Sequence, residues 1–255
     1  MKTALISDIH ANIEALHAVL ADIESRGVDR IFCLGDVVNY GPNPAECLNI
    51  VRRLDLTLMG NHEEAVLNSP IGFNPVAAAA AVWTKSVLDP GLRAGRGKKA
   101  NWEFMGGRPL KHEEDGVLFV HASPREPTGE YLLPSDADAL LGEMSEKLAG
   151  CFELVERACF VGHTHVPGVF TQSGEFLPPA DIDGEYRLQS GAKLICNVGS
   201  VGQPRDRIVG ASYAIFDGEV IRYHRIPYDV EATCEKIKNI KGLPDRCGTR
   251  LLRGE

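Results

Sequence analysis

The sequence predicts an α/β protein, and three features predict it. Short apolar runs rich in Val, Ile, Leu and Phe recur with little polar alternation, the pattern of strands buried on both faces. Segments of helical periodicity separate the first three runs, and two later runs flank Asp217-Gly218, a strong two-residue hairpin signal. The 255 residues, 44% hydrophobic and 24% charged, are enough for a sizeable core. With no internal repeat and no low-complexity linker, the economical reading is a single domain over 1–255 with a helical insertion at about 65–112.

The first strand is Ala4–Ser7. Asn12 then stands as N-cap to a helix whose Ile13, Leu16, Val19, Leu20 and Ile23 share one face, ending before Gly27. A second strand spans Asp29–Leu34. A second helix starts after Pro42-Asn43-Pro44 and carries Cys47, Leu48, Val51 and Leu54. The third strand, Leu56–Met59, completes a βαβαβ opening. From about 65 to 112 the pattern is helix and loop, with Ala77–Val82 helical and breaks at Asp89-Pro90-Gly91 and Gly106-Gly107. Strands follow at Val117–Val120, Cys159–Val161 and Leu194–Cys196, then the hairpin Tyr213–Phe216 and Val220–Ile226. Beyond residue 166 the chain reads as predominantly β.

Charge and composition exclude several functions. The chain has 27 Lys+Arg against 35 Asp+Glu, a net charge of −8, which argues against gripping long nucleic acid along its surface. Asp8 interrupts the first apolar run too early for a signal peptide, and Val76–Trp83 falls well below the roughly 20 residues of a membrane span. A cytoplasmic protein without membrane partner is expected. Seven scattered cysteines, none at Cys-x-x-Cys spacing, read as reduced buried thiols. Between Arg93 and Lys111 six basic residues face one acidic residue, either a solvated surface or a cap that steers an anionic substrate.

Five predicted strands run directly into metal-ligand residue types. The first ends in Asp8-Ile9-His10, the second in Gly35-Asp36, and the third in Gly60-Asn61-His62-Glu63. The fourth ends in His121 and the fifth in Gly162-His163-Thr164-His165. In open α/β sheets the strand C-termini and following loops form the ligand crevice, so these residues converge on one rim. Alternate residues of extended backbone point to opposite faces, so Asp8/His10 and His163/His165 share a face only where strand has given way to loop. Imidazole and carboxylate donors without cysteine suit Mn, Fe, Zn, Co or Ni. A two-metal centre bridged by one carboxylate, Asp36, would hold a hydroxide between ions about 3.5–4 Å apart and clamp phosphoryl oxygens.

The series Asp8-x-His10, Gly35-Asp36-x2-Asn39-Tyr40-Gly41, Gly60-Asn61-His62-Glu63, His121 and Gly162-His163-x-His165 resembles the calcineurin-like metallophosphoesterases. The run Asn197-Val198-Gly199-Ser200-Val201-Gly202-Gln203-Pro204-Arg205 is similar to a stretch of that family's small bacterial and archaeal phosphodiesterase branch. The resemblance implies a four-layer αββα sandwich of two mixed sheets. It implies that Asp8, His10, Asp36 and His165 hold one divalent ion and Asp36, Asn61, His121 and His163 the other. It assigns His62 as general acid toward the leaving oxygen, with Asn61 helping to stabilise the developing charge.

Departures from the family's patterns bear on substrate. Ser/Thr protein phosphatases carry x-x-Asp-Arg-Gly after Gly-Asp, where this chain has Asn39 and Tyr40. No negative charge for His62 and no bidentate cation for a dianionic phosphate is supplied there. The expected reaction is therefore attack of a metal-bridging hydroxide on a small phosphodiester or nucleotide-type phosphate ester. Asn39, Tyr40, Arg125 and Arg205 are the candidate substrate contacts. A dinucleoside polyphosphate hydrolase, a protein phosphatase and a non-catalytic scaffold are the competing readings. His17, His112 and His224 read as structural or exposed. Trp83 and Trp102 read as core or cap packing, with stacking on a base as the alternative.

Overall fold

A computed structural model describes residues 1–138 and 143–255. β1 (Thr3–Ile6), α1 (Ile13–Ser25), β2 (Arg30–Cys33), α2 (Pro44–Val51) and β3 (Leu56–Thr57) form the expected opening. Asn12 caps α1, its side chain accepting from the Ala15 amide. Three helices follow: α3 (Asn61–Leu67), α4 (Pro75–Leu88) and α5 (Arg96–Gly106). Next come β4 (Lys111–Glu114), β5 (Val117–Val120), the small hairpin β6 (Ala137–Asp138) and β7 (Glu143–Met144), α6 (Glu146–Glu153) and β8 (Ala158–Val161). The remainder is β9 (Gly168–Thr171), β10 (Phe176–Leu177), β11 (Glu185–Arg187), β12 (Leu194–Asn197), β13 (Ala211–Phe216), β14 (Val220–Ile226), α7 (Val230–Asn239) and α8 (Arg246–Thr249).

Two six-stranded mixed sheets result, ordered β11-β14-β13-β1-β2-β3 and β10-β9-β12-β8-β5-β4. In each, three parallel strands sit beside antiparallel ones: β1, β2 and β3 in the first, β12, β8 and β5 in the second. Alternation along each strand builds the layers. In β1, Ala4 and Ile6 face Leu16 and Val19 of α1, whereas Leu5 faces the other sheet among Phe119, Phe160 and Phe216. In the second sheet Val120, Val161 and Ile195 face Leu148, Cys151 and Phe152 of α6. The outcome is helix, sheet, sheet, helix, with one core between the sheets and one under each helical layer.

Two expectations need correction. The reading of predominantly β beyond residue 166 fails at Val230, where Asp229 caps α7 by accepting from the Ala232 amide. Only Val230, Thr233 and Ile237 of that helix are buried, too thin a stripe to read as helical periodicity. Strands β4, β6, β7, β9, β10 and β11 were also outside the reading. β4, β10 and β11 are short, half-exposed edges without a continuous apolar signature, β6 and β7 span two residues each, and β9, though buried, carries only two apolar residues in succession. No helix among the described residues is long and apolar enough to cross a membrane.

Candidate active site

The loops that follow β1, β2, β5 and β8, together with the start of α3, meet at one end of the sandwich. Among the described residues, eight of the eleven non-glycine residues with positive φ lie here: Asp8, His10, Ala11, Asp36, Asn39, Tyr40, His163 and His165. That left-handed backbone lets Asp8 and His10, or His163 and His165, turn to a common side although they alternate in sequence. Gly60 and Gly162 let the loops approach: a Cβ on Gly60 would collide with the Asp36 carboxylate, and one on Gly162 with Ser7 and Asp8.

The described donors form three overlapping groups at Asp36: Asp8, His10 and His165; Asp36, His121 and His163; and His10, Asp36 and His62. In the first, His10 Nε2 and His165 Nε2 are 3.1 Å apart, and His165 Nε2 is 3.1 Å from Asp8 Oδ1. In the second, Asp36, His121 and His163 bring one donor atom each within 4.8 Å of one another. His121 Nε2 stands 3.2 Å from Asp36 Oδ2 and 3.2 Å from Asn61 Oδ1. Asp36 Oδ2 is also 3.9 Å from His10 Nε2, so it faces the first group as well as the second.

The second nitrogen of each imidazole shows what these donors are prepared for. Nδ1 of His10 lies 3.1 Å from the Val38 carbonyl, Nδ1 of His121 3.0 Å from the Leu34 carbonyl, and Nδ1 of His165 2.5 Å from the Gln203 carbonyl. A carbonyl can only accept, so each Nδ1 carries a proton. Burial keeps His10 and His165 neutral, so their Nε2 atoms turn lone pairs into the cluster, whereas at His121 burial is outweighed by the Asp36 carboxylate, which pushes the pKa up to about 9. Two such lone pairs 3.1 Å apart beside a carboxylate have no proton to share. Asp8 Oδ1, Asp36 Oδ2 and His163 Nε2 are buried without a hydrogen-bond partner. Burial, aided by the His121 charge, pushes His163 down to about 2 and keeps it neutral. Burial alone would raise the Asp8 pKa, but neighbouring His165 holds it well below the usual carboxylate range. Ligands about 2.0–2.2 Å from one ion stand roughly 3 Å from each other, so the donor set fits divalent metal binding.

His62 is built differently. Its main-chain N–H donates to Asp36 Oδ1 at 2.9 Å, and its Nδ1 lies 2.5 Å from Asn39 Nδ2. The Asn39 amide is oriented by its surroundings, since Oδ1 accepts from the Tyr40 N–H and Nδ2 donates to the Ala77 carbonyl. Asn39 therefore donates to His62 Nδ1, and the remaining proton sits on Nε2, the reverse of the three carbonyl-bound histidines. Asn39 is fully buried behind His62 and so holds that imidazole instead of presenting itself to a substrate.

The other sequence candidates separate clearly. Tyr40 is buried with its ring 4.9 Å from both His10 and His62, at the edge of a cavity of about 790 Å³ that Asn61, His62, Phe73, Tyr131 and His163 also line. Arg205 lies beside the cluster: its charge is felt by His10, His62, His163 and His165, and its Nη2 donates to Gln203 Oε1 at 2.9 Å. Arg125 is not brought there. Its guanidinium is 3.5 Å from Glu130, which neutralises it away from the donors. None of the basic residues of Arg93–Lys111 lines the cavity, and Trp83 and Trp102 pack in hydrophobic clusters.

Sequence reasoning missed three participants. Glu63 accepts from the amides of Asp36, Val37, Val38 and Gly60 at 2.8–3.1 Å, tying the second loop to the third. Burial and the Asp36 charge push its pKa up to about 8 while those amides pull the other way. Its place in Gly60-Asn61-His62-Glu63 was the available signal. Tyr131, whose ring lies 3.9 Å from that of His163, and Arg250, beyond Tyr40, stand in no motif.

Comparison with known proteins agrees with this geometry. The model of the calcineurin-like phosphoesterase superfamily domain matches residues 1–219. An uncharacterised protein of Methanocaldococcus jannaschii is 40% identical over 98% of this chain and 97% of its own length. A metallophosphoesterase from Sphaerobacter thermophilus superposes with a TM-score of 0.81 at 35% identity, covering 100% of this chain and 99% of the other. A symmetrical bis(5'-nucleosyl)-tetraphosphatase of Methylobacillus flagellatus is 30% identical over 48% of this chain, which spans 43% of that relative.

Proposed function

Because the chain belongs to the calcineurin-like phosphoesterase superfamily, and is thus a metal-dependent hydrolase of phosphoric esters, we propose that it cleaves a small phosphodiester or nucleotide-type ester at a two-ion site. The observation that carries this reading is the pair of donor groups sharing Asp36, with unpartnered oxygens on Asp8 and Asp36. Asp8, His10, Asp36 and His165 would hold one ion, and Asp36, Asn61, His121 and His163 the other; nitrogen and oxygen donors suit Mn, Fe, Zn, Ni or Co. Bound ions supply Lewis-acid polarisation of the phosphoryl group and lower the pKa of water.

The chain's own residues do the rest. His62 lines the cavity with its Nε2 3.8 Å from Asp36 Oδ2, and from that position Nε2–H would donate to a phosphoryl or leaving oxygen. Asn61 lies at the same wall and helps to fix the ester. Tyr40, Phe73 and Tyr131 supply apolar surface on the cavity side against which the organic part of an ester would pack. The cavity wall includes no Lys or Arg among the described residues, which suits a monoanionic diester better than a dianionic monoester.

A dinucleoside polyphosphate hydrolase is the second reading, favoured by the partial match to the Methylobacillus flagellatus relative. The test is to strip the protein of metal, restore Mn, Fe or Ni, and compare bis-p-nitrophenyl phosphate, p-nitrophenyl phosphate and diadenosine tetraphosphate. The diester should turn over best, and Asp36→Asn should abolish turnover. No turnover of any ester with any metal would leave the fold as a scaffold.

A further inference from the structure

The cavity of about 790 Å³ opens beside the donor cluster, since Asn61, His62 and His163 line it, and one side of it is a face of α3. Asn61, Glu64, Ala65 and, just past the helix end, Asn68 line it at the i, i+3, i+4, i+7 spacing of a single helical face. Asn61 Oδ1 is 3.2 Å from His121 Nε2, so that face starts at the donors and leads away from them. With a rise of about 1.5 Å per residue, Glu64 stands about 4.5 Å further along, close to one turn from Asn61.

Charge is unevenly placed on this wall. Among the described lining residues Glu64 is the one Asp, Glu, Lys or Arg. It is half-buried and, among the described residues, forms no ion pair and no side-chain hydrogen bond. Lys85, at the same end of α3, donates to the carbonyls of Leu67 and Asn68 at 3.1 and 2.8 Å and does not line the cavity. Aromatic rings flank the donors on the cavity side: the Phe73 ring centre is 4.8 Å from that of His62, and the Tyr131 ring centre 3.9 Å from that of His163. A carboxylate among ring faces, with no cation on the wall, repels an anionic alcohol and attracts a cationic one, because an ammonium gains from the carboxylate and from the rings together.

We propose that the cavity selects a phosphodiester one of whose alcohols carries an ammonium group, Glu64 holding the charge and Phe73 and Tyr131 offering their rings. This rests on the phosphoesterase reading and narrows its substrate class. The cation must sit about one helical turn from the reacting phosphoryl, which suits an ammonium two carbons from the ester oxygen. A chain of further phosphates would meet Glu64 where it needs a cation, so the same wall disfavours a dinucleoside polyphosphate.

The test compares p-nitrophenyl phosphorylcholine with its neutral isostere, p-nitrophenyl 3,3-dimethylbutyl phosphate, on metal-loaded protein. The cationic ester should have the higher kcat/KM by about tenfold, the combined size of a partly exposed ion pair and a cation–π contact. Glu64→Gln should bring that ratio toward one, Glu64→Asp should keep part of it, and Phe73→Leu and Tyr131→Leu should each reduce it. Equal kcat/KM for the two esters in the wild type overturns the cation site while leaving the phosphoesterase reading intact. Equal loss on both esters in Glu64→Gln also overturns it, as does faster turnover of diadenosine tetraphosphate than of the cationic ester. If neither ester turns over with any metal, the phosphoesterase reading fails and calorimetric Kd values for the two esters decide the cation site alone. Binding of the cationic ester about tenfold tighter in the wild type, and not in Glu64→Gln, supports the site; equal Kd values overturn it.

Discussion

At His62 one neighbour decides the chemistry. The Asn39 amide, fixed by Tyr40 and Ala77, donates to Nδ1 and leaves the proton on Nε2, the group that the proposed function offers to substrate. Burial, with help from His10, pushes the His62 pKa well down, and bound cations act in the same direction, so the ring donates as a neutral imidazole. Asn39→Asp replaces a donor by an acceptor. It should protonate Nδ1, raise the His62 pKa and add an ionisation to the kcat/KM–pH profile that the wild type lacks; superimposable profiles would count against this role for Asn39. The residue types were legible in the sequence because each stands directly after an apolar run. The direction of the Asn39 hydrogen bond was not, since it depends on the Ala77 carbonyl, 38 positions away.

Among the elements, α1 shows how a helix start serves the site. Asn12 follows the Asp8-x-His10 loop, caps α1, and donates to the Gly202 carbonyl while accepting from Thr233. Asn12→Ala removes the cap and strands buried polar partners, an expected cost of about 3 kcal/mol, or roughly 6–12 °C in Tm by thermal unfolding. A change below 2 °C, on the order of experimental scatter for such shifts, would show that the surroundings relax around the loss. The cap itself was legible from sequence, as were the strands that deliver the candidate ligands, because buried parallel strands are continuous apolar runs. Gly202 and Thr233 were not, because α7 buries only a narrow stripe and nothing in its sequence shows that it lies against α1.

Over the whole molecule, metal and proton balance set stability. Removing divalent ions with a chelator should lower Tm, since a ligand at 100 times its Kd contributes about 2.7 kcal/mol; an unchanged Tm would mean that the ions contribute nothing to folding. His224 supplies a pH dependence away from the site. Burial depresses its pKa to about 4 from the ordinary 6.5, and its Nε2 has no partner. Between those two values the unfolded chain binds more protons than the folded one, so stability rises with pH across the window and is lost as pH falls. His224→Gln should flatten that slope in urea titrations at pH 4, 5, 6 and 7. The sandwich could be inferred only through the family resemblance, because nothing in the apolar runs says which strands share a sheet.

That arrangement of sheets has a mechanical consequence. Asp8, Asp36 and Asn61 hang from the first sheet, whereas His121 and His163 hang from the second. Any ion they hold together would act as a rivet between two plates that have Phe119, Phe160 and Phe216 packed between them. The spacing of the ligands is thereby a property of the filling between the plates, and metal affinity should respond to side chains that never touch a metal.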